Sequence, residues 1–327
     1  MTTILLTGAS GFIGRAAIAG LVQNGYALRA AVRRPPQPPL MAGVEIVRHP
    51  DLSDAFDWGP LLHGVDAVIH LAGIAHTGRG VPPEAYDRIN RWATAELAGA
   101  AARAGVKHFV FVSSIRAQSG PSADHALTER DAPMPTDAYG RSKLAAEDAV
   151  RAAGVPFTVL RPVVLYGPGV KGNFALLLRA ALSPWPLPVK SMINRRSLLS
   201  VENFVSALNF VLSTPSTIGE TYVVADPGIP PRLADVLATM RKALGRRPLI
   251  LPLPTHYVEI PLRLFGRDDL WERLGGNLRV DPGKLVTAGW QPVHDTRGGV
   301  AALVQAESGL RSGVRKTMPP TTPTPKT

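Results

Sequence analysis

The chain of 327 residues contains no cysteine, which excludes disulfides and thiolate metal sites. It has no apolar run near the roughly 18 residues that a membrane-spanning helix requires. Acidic residues are scarce relative to basic ones, 25 against 36, for a formal charge of +11. The basic residues are mostly scattered and are not interleaved with aromatics, so no nucleic-acid partner is expected. An anionic ligand and a basic C-terminal tail account for part of the excess. The eight histidines show no ligand spacing, and no metal is expected. There is no Gly-x-Ser-x-Gly elbow, no His-Glu-x-x-His pair and no Walker lysine. The first apolar strand begins after two residues, leaving no room for a secretory leader. The expected location is cytoplasmic.

What is present begins at once. The run Ile4-Leu5-Leu6 leads through Thr7 into glycines at 8, 11 and 14, and a periodic helical segment covers Phe12 to Asn24. A strand turning sharply into a helix is the phosphate-binding start of a doubly wound sheet. Gly8 permits the turn, Gly11 admits a pyrophosphate, and Gly14 lets helix and strand pack closely. The free N–H groups of the helix start, where Phe12 and Ile13 lie, and its positive dipole suit an anion. A Gly-rich turn without a ligand is the alternative.

Further strands are read at Ala27–Val32, Val44–Val47, Ala67–Leu71, Lys107–Val112 and Phe157–Leu160, with helices over Glu84–Ala104 and Asp137–Ala153. The alternation predicts an α/β fold, a Rossmann doubly wound parallel sheet with helices on both faces. Turn-rich loops follow Arg161-Pro162. Val201–Leu212 and Leu233–Leu244 read as helices, Thr221–Val224 as a strand, and Pro248–Pro254 as a Pro-bounded apolar stretch. The expected division is a Rossmann domain of residues 1–165 plus 196–225 and a smaller mixed α/β substrate domain of 166–195 plus 226–308. The Pro-, Thr- and Lys-rich stretch 311–327 cannot bury a core and is read as disordered.

The second strand ends Val32-Arg33-Arg34. An acid about 20 residues past the glycines would hold a ribose 2′-hydroxyl and favour NAD. None is present, and two guanidinium groups suit a 2′-phosphate. NADP(H) is therefore favoured over NAD(H), with plain surface charge as the competing reading. Asp51 could accept from an adenine amino group with Leu52 over the ring, or cap a helix. Leu71, Ala72 and Gly73 give close access after the fourth strand, while His70 reads as structural. Asn90 suits either the same cleft or a buried amide site.

Ser113 and Ser114 close the fifth strand. Tyr139 and Lys143 are spaced i, i+4 and share one helix face. Tyrosine, with a pKa near 10, is a poor acid/base at neutral pH. A neighbouring ammonium stabilises the phenolate, and Ser114 can hydrogen-bond the oxygen that gains or loses the proton.

Together, Thr7-Gly-x-x-Gly11-x-x-Gly14, Asp51-Leu52, His70-Leu-Ala-Gly73, Ser113-Ser114 and Tyr139-x-x-x-Lys143 resemble the extended short-chain dehydrogenase/reductases, the NAD-dependent epimerase/dehydratase family. The resemblance covers about residues 3–305. The stretches Phe111–Arg116, Asp137–Lys143, Tyr166–Phe174 and Arg195–Val201 are similar to the UDP-glucose 4-epimerase-like subgroup, with its UDP-N-acetylhexosamine 4-epimerases and UDP-4-keto-sugar 4-reductases. This resemblance implies a homodimer with Ser114, Tyr139 and Lys143 as catalytic residues and Tyr139 and Lys143 also on the cofactor. It implies Asn173 and Arg196 on the diphosphate of a UDP-sugar. The chain departs from the pattern in reading Ile115-Arg-Ala-Gln-Ser119 after Ser114, and in Val32 where the usual aspartate stands. The expected reaction is NAD(P)H-dependent reduction at C4 of a UDP-4-keto-6-deoxy-N-acetylhexosamine. The alternatives are a UDP-sugar 4-epimerase with bound NAD and a non-catalytic NADP sensor.

Overall fold

The computed structural model describes residues 1–74, 81–170, 173–266, 271 and 275–316; the side chain of Asn173 and those beyond 308 lie outside the description. Seven parallel strands form the central sheet: β1 (Thr3–Thr7), β2 (Ala27–Val32), β3 (Glu45–Arg48), β4 (Ala67–His70), β5 (His108–Val112), then β7 (Phe157–Pro162) and β10 (Thr221–Val224). Their order is β10-β7-β5-β4-β1-β2-β3. The order reverses between β1 and β4, and such a switch point leaves a crevice at the C-terminal strand ends. Register fixes its floor, with Thr7 opposite His70 on β4 and Ala31 on β2.

Both faces of the sheet are covered because the strands are apolar on both sides. On one face α1 (Phe12–Gln23) buries Ala17, Ile18 and Leu21. Each large aliphatic side chain so buried contributes about 1.5–3 kcal/mol. Alongside it lies α8 (Val201–Ser213), capped by the Ser200 hydroxyl, which accepts from the Asn203 amide. The other face carries α2 (Gly59–Leu62), α3 (Pro83–Tyr86), a π-helical stretch Asp87–Trp92, α4 (Ala93–Arg103) and α6 (Ala138–Ala152). The single helix expected over 84–104 is thus three segments. The π turn inserts its extra residue where Asn90 turns inward.

A third apolar cluster is built from Tyr166, Phe174, Leu178, Met192, Leu237, Met240 and Leu303. It involves α7 (Asn173–Leu182), α9 (Leu233–Ala243) and α12 (Thr296–Lys316). Two small parallel pairs stand apart from the main sheet, β6 (Ala126–Leu127) with β11 (Arg279–Val280) and β8 (Val164–Tyr166) with β9 (Leu198–Ser200). Further α-helices among the described residues are α5 (Ile115–Gln118), α10 (His256–Leu264) and α11 (Gly283–Thr287). The amphipathic α12 continues through Lys316, and residues 317–327 lie outside the described residues.

Candidate active site

The site begins at the turn after β1. Gly8 has φ +70°, and a Cβ there would lie 2.8 Å from the Ala72 amide nitrogen. A Cβ on Gly14 would lie 2.3 Å from the Gly8 carbonyl oxygen. The turn, α1 and the end of β4 therefore meet at backbone contact, which larger residues forbid. Gly11 is the N-cap of α1, with no side-chain cap and no acidic residue in the first turn. The result is a twelve-residue helix whose opening amides face the crevice end of the sheet. These features fit a dinucleotide diphosphate.

Behind the turn, His70 is fully buried between two threonines. Its Nδ1 is 2.7 Å from Thr7 Oγ1 and its Nε2 2.9 Å from Thr94 Oγ1. Thr94 donates its own proton to the Asn90 carbonyl, and Thr7 accepts from the Ala72 amide. The proton count therefore puts hydrogen on Nε2 and makes Nδ1 the acceptor. Burial lowers the imidazole pKa to about 3, with Lys143 adding to the effect. His70 is thus a neutral brace for the turn at Leu71, Ala72 and Gly73. Asn90 is a buried amide. Its Oδ1 accepts from the Ile74 amide at 2.9 Å, and its Nδ2 donates to the Ile74 carbonyl and to Ser142 Oγ, 3.1 Å each.

Beyond β2 and β3 lies a cavity of about 520 Å³ lined by Ser10, Arg33, Arg34, His49 and Asp51, among others. Both arginines are exposed. Arg33 Nη1 donates to Asp51 Oδ2 at 2.7 Å. Asp51 Oδ1 accepts from the amide and hydroxyl of Ser53, both at 3.1 Å. The Ser53 amide first, then Arg33, hold the Asp51 carboxyl below its ordinary pKa. Asp51 therefore combines a turn-capping contact with an ion pair inside the pocket. Leu52 is buried in the core cluster with Trp58 and Leu62.

The reacting groups come together through close packing of α5 on α6. The N-cap Asp137 accepts from the Gly140 amide at 2.7 Å and from Arg116 Nη2 at 2.7 Å. A Cβ on Gly140 would sit 2.2 Å from the Arg116 carbonyl oxygen. That approach brings Ser114, at the start of α5, to Tyr139, at the start of α6, and their side chains are hydrogen-bonded. Burial raises the Tyr139 pKa, the Ser114 contact opposing it. One turn on, Lys143 is buried; its Nζ donates to the Val112 carbonyl at 2.8 Å and stands 4.5 Å from the Phe111 ring centre. Burial lowers its pKa to about 8, against the raising effect of Glu147.

The sequence reading missed what lies beneath. Glu147, a further turn along α6, is fully buried and accepts from Ser113 Oγ at 2.6 Å. Arg161 of β7 grips it with Nε at 2.9 Å and Nη2 at 2.6 Å. Arg161 also donates to Gln118 of α5. This clamp ties β5, α5, α6 and β7 under the site. The spacing Tyr139-x-x-x-Lys143-x-x-x-Glu147 was the available signal.

Two substrate-side expectations fare differently. The side chain of Asn173 lies outside the described residues. Arg196 is half-buried, and its guanidinium donates to the carbonyls of Gly276 at 3.0 Å and Pro121 at 3.1 Å. It stands where the second region meets the loop after α5.

The strand-order crevice, the glycine turn and the Ser–Tyr–Lys grouping agree with sequence comparison, in which residues 4–225 match the NAD dependent epimerase/dehydratase family. The chain belongs to that family. It is 31% identical over 315 residues to a UDP-glucose 4-epimerase of Vibrio cholerae, covering 93% of this chain and 95% of that protein. A ceramide reductase of Caulobacter vibrioides is 35% identical over 213 residues, covering 65% and 61% of the two chains. Among solved structures, the UDP-glucuronic acid 4-epimerase of Bacillus cereus in complex with NAD superposes with a TM-score of 0.75 at 21% identity. It covers 95% of this chain and 98% of that one, a likeness of fold. The protein is thus an NAD(P)-dependent enzyme of the extended short-chain dehydrogenase/reductase type. None of its described helices is long and apolar enough to cross a membrane.

Proposed function

We propose that the protein uses NADPH to reduce the C4 ketone of a UDP-4-keto-6-deoxy-N-acetylhexosamine. The observation that carries this reading is the pair Arg33 and Arg34 on the pocket past β2, with Val32 in place of an acid. Gly8, Gly11, Phe12, Ile13 and Gly14 would hold the diphosphate and the arginines the 2′-phosphate, with Asp51, Leu52, Leu71, Ala72, Gly73 and Asn90 shaping the remaining cofactor walls. When bound, the reduced nicotinamide supplies the hydride for C4.

Tyr139 supplies the proton. Burial keeps its hydroxyl protonated at neutral pH, the state a proton donor needs. Ser114 hydrogen-bonds the same oxygen of the sugar. The Lys143 ammonium stabilises the phenolate left behind and offers its remaining donors to the nicotinamide ribose. Arg196 and Asn173 are proposed to take the sugar-nucleotide diphosphate, a pairing suited to a guanidinium. A homodimer working in the cytoplasm is part of the same reading.

The second reading is a UDP-sugar 4-epimerase, favoured by the Vibrio cholerae relative over nearly the full chain. A non-catalytic NADP sensor accords poorly with the intact Ser114, Tyr139 and Lys143. The deciding experiment mixes the enzyme with NADPH and the 4-keto sugar and follows cofactor absorbance and product mass. Stoichiometric NADPH loss with a two-hydrogen mass gain supports the reductase. UDP-sugar interconversion without cofactor loss replaces it with the epimerase.

A further inference from the structure

The segment from Pro248 to Gly266 presents apolar side chains to solvent. α10 buries none of its residues. Val258 turns toward the third apolar cluster. Tyr257, Ile260 and Leu264, spaced i, i+3, i+7 on one helical face, are 58%, 51% and 80% exposed, and Phe265 just beyond is 83% exposed. A helix of a globular protein normally turns such a stripe toward its core. The stripe has a neighbour. Leu187 donates to the Leu249 carbonyl and accepts from the Leu251 amide, both at 2.9 Å, so the segment carrying Trp185 runs along the same edge. Trp185 is itself 73% exposed.

The charge around this edge has one prevailing sign. Lys242, Arg246, Arg247 and Arg263 are exposed, and Lys190 joins them through its amide bond to the Leu251 carbonyl at 3.1 Å. The acid of α10, Glu259, is paired with Arg263 at 2.8 Å. Among the described residues from 242 to 266, Glu259 is the one acid against the exposed Lys242, Arg246, Arg247 and Arg263.

We propose that this face is a peripheral docking surface for an anionic lipid bilayer. Aromatic and aliphatic side chains at the acyl boundary, with guanidinium groups at headgroup level, are the chemistry of an interfacial amphipathic helix. With no spanning helix among the described residues, the attachment is reversible and salt-sensitive. A second copy of the chain would cover the same stripe, but it would set the cationic rims against each other. The charge pattern therefore selects the bilayer.

The test is co-sedimentation of the full chain with vesicles of phosphatidylcholine containing phosphatidylglycerol, and with phosphatidylcholine alone. The expected result is binding to the anionic vesicles that weakens at least tenfold without phosphatidylglycerol or in high salt. Two variants separate the contributions: Ile260→Glu with Leu264→Glu, and Lys242→Glu with Arg247→Glu. Each should lose about tenfold or more in vesicle affinity while keeping the wild-type melting temperature and NADPH affinity, since the altered side chains are exposed. Absence of wild-type binding to anionic vesicles overturns the proposal, as does equal binding by wild type and both variants. A wild-type dimer that Ile260→Glu with Leu264→Glu converts to monomer, with no vesicle binding, assigns the face to a second copy instead.

Discussion

Arg33 Nη1 donates to Asp51 Oδ2 at 2.7 Å across the pocket beyond β2 and β3. The arginine is therefore already turned into that pocket, held by a carboxylate that a stronger anion can displace. Both side chains are substantially exposed, so the pair itself contributes little to stability.

Arg33→Asp should weaken NADPH by roughly ten- to a hundredfold and NADH little, the worth of one charge-assisted contact, about 1.5–3 kcal/mol. Dissociation constants for both cofactors on wild type and variant provide the check. Equal weakening of both, or a wild-type preference for NADH, would reduce Arg33 and Arg34 to surface charges.

Tyr139→Phe should lower turnover by roughly 10²–10⁴-fold, the usual worth of a positioned proton donor. Cofactor affinity should stay near wild type, because the ring and its burial are preserved. Single-turnover rates with NADPH and the 4-keto sugar give the measurement. A variant retaining most of the rate would mean that another group delivers the proton.

Glu147→Gln should destabilise the protein by about 3–5 kcal/mol, because it leaves the Arg161 guanidinium buried and unpaired. Replacing both partners by methionine should cost less than the Glu147→Gln change alone. Denaturant unfolding of the two variants decides it. A larger loss for the double variant would show that the clamp is held mainly by Ser113 and Gln118 rather than by the ion pair.

His70 carries a pH prediction. Its folded pKa, about 3, lies below the ordinary 6.5, so the unfolded chain binds the proton first as pH falls. Stability contributed by the neutral ring is complete above pH 6.5 and is lost progressively from 6.5 toward 3. His108, lowered to about 4 by burial, acts in the same direction. His70→Asn should flatten the decline in melting temperature between pH 6.5 and 4.5, at the cost of a lower value at neutral pH. An unchanged slope would refute the assignment.

Lys143 acts in the same direction in a higher pH window. Its folded pKa, about 8, lies below the ordinary 10.5, so between these values the folded state has released a proton that the unfolded chain keeps. Stability should rise with pH across that window by roughly 3 kcal/mol. Lys143→Met should remove the rise, as measured by denaturant midpoints from pH 7 to 10.

The glycine turn, the alternation of strand and helix and the Tyr139–Lys143 spacing were legible in the sequence because each is a local rule. A turn demands glycine, buried parallel strands demand continuous apolar runs, and i, i+4 positions share a helix face. Those same rules determined the parallel sheet and the family. The tertiary structure decided what depends on neighbours distant in the chain. Asn90 is a buried amide because Ile74 and Ser142 close on it. Asp51 is paired because β3 lies beside β2 and brings Arg33 within reach. Gly140 marks the contact at which α5 and α6 approach closely enough for Ser114 to meet Tyr139. Glu147 and Arg161, 14 residues apart in the chain, meet because β7 lies beside β5 beneath α6.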